Sequence, residues 1–135
     1  MKKILNIAII SLFALTLTGC GSKNVEVTCT KEGEKIVVNF ENNKIVKLAT
    51  EVTQTYDNES LLDMAYQSTQ LTVSAYNAMN GANAEVTKND NSIILKLTLD
   101  IPKMNKDDID EDYYKQNPNK FIESSKQDGY SCTTK

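Results

Sequence analysis

The sequence predicts an α+β domain: one antiparallel sheet, in the order βββ-α-ββ-α-β, with one long helix packed on one face. Three observations predict it. Apolar residues recur at every second position in several runs, as half-buried strands require. One stretch, Glu59 to Asn80, contains neither Gly nor Pro and carries apolar residues at helical spacing. The strand-like runs follow one another through short polar turns, which favours hairpins with the helices gathered on one side.

The elements follow in order. Val25 to Thr30 alternates apolar and polar, with Val25, Val27 and Cys29 facing inward. Lys31 to Glu34 is a turn. Ile36, Val38 and Phe40 give the inward face of a second strand. Glu41-Asn42-Asn43-Lys44 is a tight turn, because Asn tolerates left-handed backbone, so the second and third strands form a hairpin. The third strand runs from Ile45 to about Tyr56, with Val46, Leu48, Val52 and Tyr56 expected on one face. Its Thr- and Gln-rich far half suits an edge or a solvent-facing stretch. Asp57-Asn58-Glu59-Ser60 is an N-cap cluster with acid in the first turn. The helix it opens places Leu62, Tyr66, Thr69, Val73 and Tyr76 on one stripe, with Leu61, Ala65, Ala75 and Met79 beside it, and Gly81 is expected to close it. Ala84 to Lys88 is a short strand. Ile93, Leu95, Leu97, Leu99 and Ile101 form the cleanest alternation in the chain and are expected at the centre of the sheet, stopped by Pro102. Asn117-Pro118 caps a short helix with Pro at its first position. Phe121, Ile122 and Ser125 mark its buried side, and Tyr130, Cys132 and Thr134 its return strand.

Ahead of this domain lies an export signal. Met1-Lys2-Lys3 is a positive start, and Ile4 to Leu17 is an apolar run interrupted only by Asn6, Ser11 and Thr16. At 14 residues the run is shorter than the ~20 a membrane-crossing helix needs. The Leu17-Thr18-Gly19-Cys20 that follows resembles the bacterial lipobox. That resemblance implies cleavage before Cys20 and acylation of its thiol, leaving a diacylglyceryl anchor on the membrane. The expected organisation is therefore a signal peptide over 1–19, the lipidated cysteine and a tether over 20–24, and one domain over 25–135. Two or more acyl chains hold a protein stably where one is marginal. The expected location is the cell membrane, facing outward, with the membrane and another envelope protein as partners.

The chain has 135 residues, a net charge of −3, 15 lysines, no arginine and no histidine. Removing residues 1–19 takes away two lysines and brings the charge to −5. No basic excess and no arginine are present to grip phosphate, so nucleic acid is not an expected partner. Without histidine the chain lacks the usual general base near neutral pH and the commonest metal ligand. No enzyme activity and no cofactor are expected.

Of three cysteines, Cys29 and Cys132 remain once Cys20 is acylated. In an oxidising compartment an even remainder suggests a disulfide, and the two lie in the first and last strands on the same inward parity. Two buried free thiols are the alternative.

Taken together, the lipobox, the third strand opening Lys44-Ile45-Val46-Lys47, the acid-capped helix and the Ile/Leu-rich strand ending in Asp100-Ile101 resemble the YehR-like small bacterial lipoproteins over residues 1–135. Cys29 and the terminal Gly129-Tyr130-Ser131-Cys132 are more similar to Gram-positive members. The family has no assigned activity, so the resemblance implies an α+β lipoprotein and nothing chemical.

Four candidate sites stand out. Asp108, Asp110 and Asp112 have the spacing that opens a calcium loop, but Tyr113 and Asn119 occupy the positions such a loop gives to Gly and Glu. A weak cation site and a plain solvated acidic loop are the two readings. Tyr113-Tyr114 is either a recognition patch or one packed and one exposed ring. Tyr66 and Tyr76 are either a stacking pair or helix-to-sheet packing. The sheet face away from the helix, with Lys35, Val37, Asn39, Lys47, Glu51 and Thr53, is the surface expected to meet a partner. The leading expectation is a non-enzymatic, lipid-anchored interaction module. Its alternative is a carrier of a small ligand or of calcium, for which a pocket between helix and sheet would be needed.

Overall fold

A computed structural model describes residues 24–135. Cys20, the expected signal peptide before it and the expected tether up to Lys23 lie outside the described residues. The elements are β1 (Asn24–Lys31), β2 (Glu34–Glu41), β3 (Lys44–Thr55), α1 (Glu59–Asn77), β4 (Ala82–Lys88), β5 (Ser92–Asp100), α2 (Glu111–Tyr114), α3 (Pro118–Gln127) and β6 (Ser131–Thr134). All five strand pairings are antiparallel, in the spatial order β4-β5-β3-β2-β1-β6. The α+β class holds, with α2 as an added single turn.

The β2–β3 hairpin closes through Asn42 and Asn43, both at positive φ (50° and 63°), the backbone a two-residue hairpin turn needs. Just beyond it the register slips. Asn39 faces Lys47 but Phe40 faces Ile45, so Val46 is an extra residue on β3. This bulge corrects the expected phase: Ile45 and Leu48 are buried, while Val46 is only half-buried. Past Val52, Thr53 N still donates to the Gly33 carbonyl at 2.7 Å, and beyond it β3 has outrun β2 and pairs only with β5, so its Thr- and Gln-rich end is an exposed local edge. A second correction concerns β5. It is interior, yet β3 and β2 hold the centre. Alternation reports burial of a face, which an off-centre strand under a helix satisfies equally well.

Asn58 caps α1, accepting from Ser60 N at 2.8 Å and Leu61 N at 3.4 Å. The helix ends at Ala78 in right-handed geometry, so Gly81 is not its closing residue. Gly81 instead turns the chain into β4 at φ 78°, so close to β5 that an added Cβ would lie 2.6 Å from the Asp100 carbonyl.

Two bodies cover the inner face. α1 lies over β4 and, more lightly, β5, with Leu62 as its only buried residue. α3 lies over β1 and β6. Between and beneath them sits the main core, including Val27, Cys29, Val38, Phe40, Ile45, Leu48, Leu99 and Phe121. The Phe40 and Phe121 rings meet edge to face at 5.9 Å.

The free edge of β4 is guarded by a side chain. Asn77 Nδ2 donates to the Ala84 carbonyl at 2.9 Å, and the Ala84 N–H donates to Asn77 Oδ1 at 2.7 Å. The amide thus imitates a neighbouring strand at the middle of an edge that would otherwise invite pairing. Asn77→Ala leaves both groups of buried Ala84 unpaired, so a loss of about 1–3 kcal/mol in urea denaturation is expected. A transition unmoved from that of the parent would show that the amide carries no such burden.

Candidate functional site

The open face of the sheet holds all six residues expected to meet a partner, but it balances itself. Across the strands, Lys35 registers with Glu51, Glu51 with Lys96 and Lys96 with Glu85. Lys96 Nζ lies 4.0 Å from Glu51 and 3.6 Å from Glu85. Asn39 donates to Glu26 at 3.2 Å. Alternating charge in register is what a water-facing sheet shows, and opposite charges facing each other stabilise it modestly.

The acidic segment does not gather into a cation site. Asp108 ends a 3₁₀ turn and accepts from Asn105 at 3.3 Å. Asp110 caps α2, accepting from Asp112 N at 3.1 Å and Tyr113 N at 3.3 Å. Asp112 lies within the first turn of α2. Among the described residues no group of three acids or thiols is placed to hold a metal ion. The i, i+2, i+4 spacing converges carboxylates only on an irregular loop, and the local helix-capping preference of Asp has taken this one.

Tyr113 and Tyr114 form an edge-to-face pair at 5.2 Å, Tyr114 against the core and Tyr113 exposed. Partial burial raises the pKa of both phenols. Tyr66 and Tyr76 both lie half-buried on the sheet side of α1. At the Gly33 hairpin the Tyr130 hydroxyl donates to Glu34, and Lys31 Nζ sits 4.4 Å above the same ring. That hydroxyl, then Lys31, holds the Glu34 carboxyl below its ordinary range. Burial raises Tyr130 itself, and in surface ion pairs Lys88 is raised by Asp63, Lys103 by Asp100, and Lys115 by Glu111. Lys88 also lines an open recess of about 660 Å³ with Glu59, Leu62, Asn89 and Asp90.

A cleft of about 180 Å³ opens between α1 and the sheet, lined by Val52, Gln54, Thr69, Thr72, Ile93 and Leu95. Ligand pockets usually measure ~300–1,000 Å³, so this one takes a group of a few atoms.

The feature least at ease in water is on the other side of α1. Leu62, Tyr66, Thr69, Val73 and Tyr76 face the sheet, as their spacing predicts. Leu61, Met64 and Leu71 point away and are 55%, 64% and 75% exposed. They are three of the four large hydrophobic residues exposed among those described. From Met64 to Ala84 the chain carries no charge at all. Helical spacing sets Leu61, Ala65, Ala75 and Met79 beside the stripe that faces the sheet and leaves Met64 and Leu71 outside it. The signal for a second face was the set 61, 64, 68, 71, 75 and 78, which alternates steps of three and four and ends in Ala75 and Ala78.

No protein-family model and no curated protein matches the chain. Two solved structures share its fold. A protein from Streptococcus pneumoniae TIGR4, solved by NMR, matches with a TM-score of 0.55 at 14% identity, covering 89% of this chain and 92% of that one. The YehR protein of E. coli, also solved by NMR, matches with a TM-score of 0.54 at 16% identity over 86% and 94%.

Proposed function

We propose that the chain is a lipid-anchored, non-enzymatic interaction module on the outer side of the bacterial cytoplasmic membrane. The observation that carries the interaction reading is the uncharged, leucine- and methionine-bearing outer face of α1, on a helix whose other face already serves the domain. Isolated exposed apolar residues are ordinary, but a contiguous row on one helix marks a surface awaiting a partner. Two features support the location. Leu17-Thr18-Gly19-Cys20 follows a short apolar run. Cys29 and Cys132 face each other in the β1–β6 register at bonding distance, an arrangement that persists as a disulfide in oxidising compartments. Lys88 and Lys115, both shifted, are engaged in surface ion pairs with Asp63 and Glu111.

The small cleft beside Thr69 and Thr72 favours one second reading, capture of a compact apolar ligand. Its volume gives that reading less to work with than the helix face gives the first.

The anchor is tested by metabolic labelling with an alkyne analogue of palmitate in a bacterial host. Label on the intact chain, lost in Cys20→Ala together with its recovery in the membrane fraction, is the expected result. An unlabelled parent chain would remove the anchored reading.

A further inference from the structure

We infer that the outer face of α1 pairs with the same face of a second copy of this chain, in an antiparallel arrangement about a two-fold axis. The inference deepens the interaction reading above and rests on it.

Positions 61, 64, 68, 71, 75 and 78 form a narrow row at the spacing of a helix–helix seam. Turned through a two-fold axis between residues 69 and 70, Leu61 meets Ala78 of the copy, Met64 meets Ala75, and Ser68 meets Leu71. Each large side chain therefore faces a small one, the alternation by which facing layers interdigitate. A parallel pair would set Leu61 on Leu61 and Ala78 on Ala78, crowding one end and leaving a void at the other.

Charge and hydrogen bonding agree with this. The positions beside the seam are Ser60, Ala65, Gln67, Thr72, Ser74 and Met79, none charged, so no like charges meet. The Thr72 and Ser74 hydroxyls donate to carbonyls of their own helix, at 3.5 and 3.0 Å, and lose less on leaving water. Antiparallel helices also oppose their dipoles.

The size of the contact sets its strength. The 19 residues of α1 span ~28 Å, and a seam ~10 Å wide covers ~300 Å² on each copy. That is below the ~800 Å² per partner of a standard interface, so the pair is weak in free solution. Confinement to one membrane, which the anchored reading supplies, raises the effective concentration at which such a contact forms.

The test uses the full chain in host membranes, with cysteines added at Leu61→Cys and Ala78→Cys and mild oxidation. Co-expressed, the two single variants are expected to give a crosslinked dimer well above the unsubstituted chain. Expressed alone, neither should, because 17 residues of helix separate each site from its copy. Crosslinking of each variant only with itself, or of neither, overturns the inference. Added to both co-expressed chains, Leu71→Lys sets two lysines beside the axis and should cut the crosslink at least ten-fold, with thermal melting unchanged at so exposed a site. An undiminished crosslink also overturns it. If the crosslink is missing and Cys20→Ala chains, against the expectation above, stay on membranes until Leu71→Lys is added, a lipid surface occupies the face and the second copy does not. If the crosslink is missing while labelling at Cys20 succeeds, the pairing falls and the anchored module stands.

Discussion

Cys132→Ser is expected to lower the melting temperature by about 10–20 °C, and reductant to do the same to the parent protein. The bridge joins residues 103 apart in sequence, so it closes nearly the whole domain in the unfolded chain. A loop of that length is worth up to ~4.7 kcal/mol in the chain-entropy model, against a total of 5–15 kcal/mol for a domain of this kind. β6 is a four-residue edge strand paired only with β1, so the bridge adds a covalent tie to a short ladder. The two serine variants should also differ. Cys29 is fully buried whereas Cys132 is partly exposed. Cys132→Ser leaves a small apolar thiol in the core, which the core accepts. Cys29→Ser leaves a hydroxyl there, adding the cost of a buried polar group and making this the more destabilised variant. Melting curves for the parent, with and without reductant, and for both variants decide the matter. Identical curves in the presence and absence of reductant would mean that the thiols are not coupled.

The parts of the fold visible beforehand were those decided locally. Period-two runs marked the strands, Asn42-Asn43 marked the hairpin, and Asn58 marked the start of α1, since each depends on residues within a few positions of one another. What escaped depends on distant partners. The extra residue at Val46 is invisible along β3 alone, because a bulge exists only relative to the strand opposite. Placing β5 at the centre failed for the same reason: strand order is a property of pairing. The site was harder still. Asp108, Asp110 and Asp112 have an eye-catching spacing, yet Asp110 turned to cap α2 because two free backbone N–H groups lay within its reach. Leu61, Met64 and Leu71 were readable as apolar helix residues. Their exposure followed only once α1 was seen to rest on β4 and β5 with a single narrow stripe.

Phe40→Ala is expected to cost about 3–5 kcal/mol, the range for removing a large buried aromatic ring. Phe40 is 1% exposed and sits on the inner face of β2, one residue past the register slip that turns Ile45 inward opposite it. Its ring meets Phe121 of α3, which is also buried, so it links the centre of the sheet to the helix covering β1 and β6. Surrounding groups have little freedom to close the gap, since Val27, Val38 and the Cys29 bridge are held in register by their strands. A double-mutant cycle separates the ring-to-ring contact from general burial. Phe121→Ala should cost a similar amount, and the double variant should cost less than the two added, by about 0.5–1.5 kcal/mol. Urea denaturation of the four proteins gives the number. Strict additivity would mean that the two rings occupy the same core without leaning on each other, and that α3 is held to the sheet by its other contacts. A positive coupling would place that attachment at Phe40, where the hairpin, the bulge and the covering helix converge.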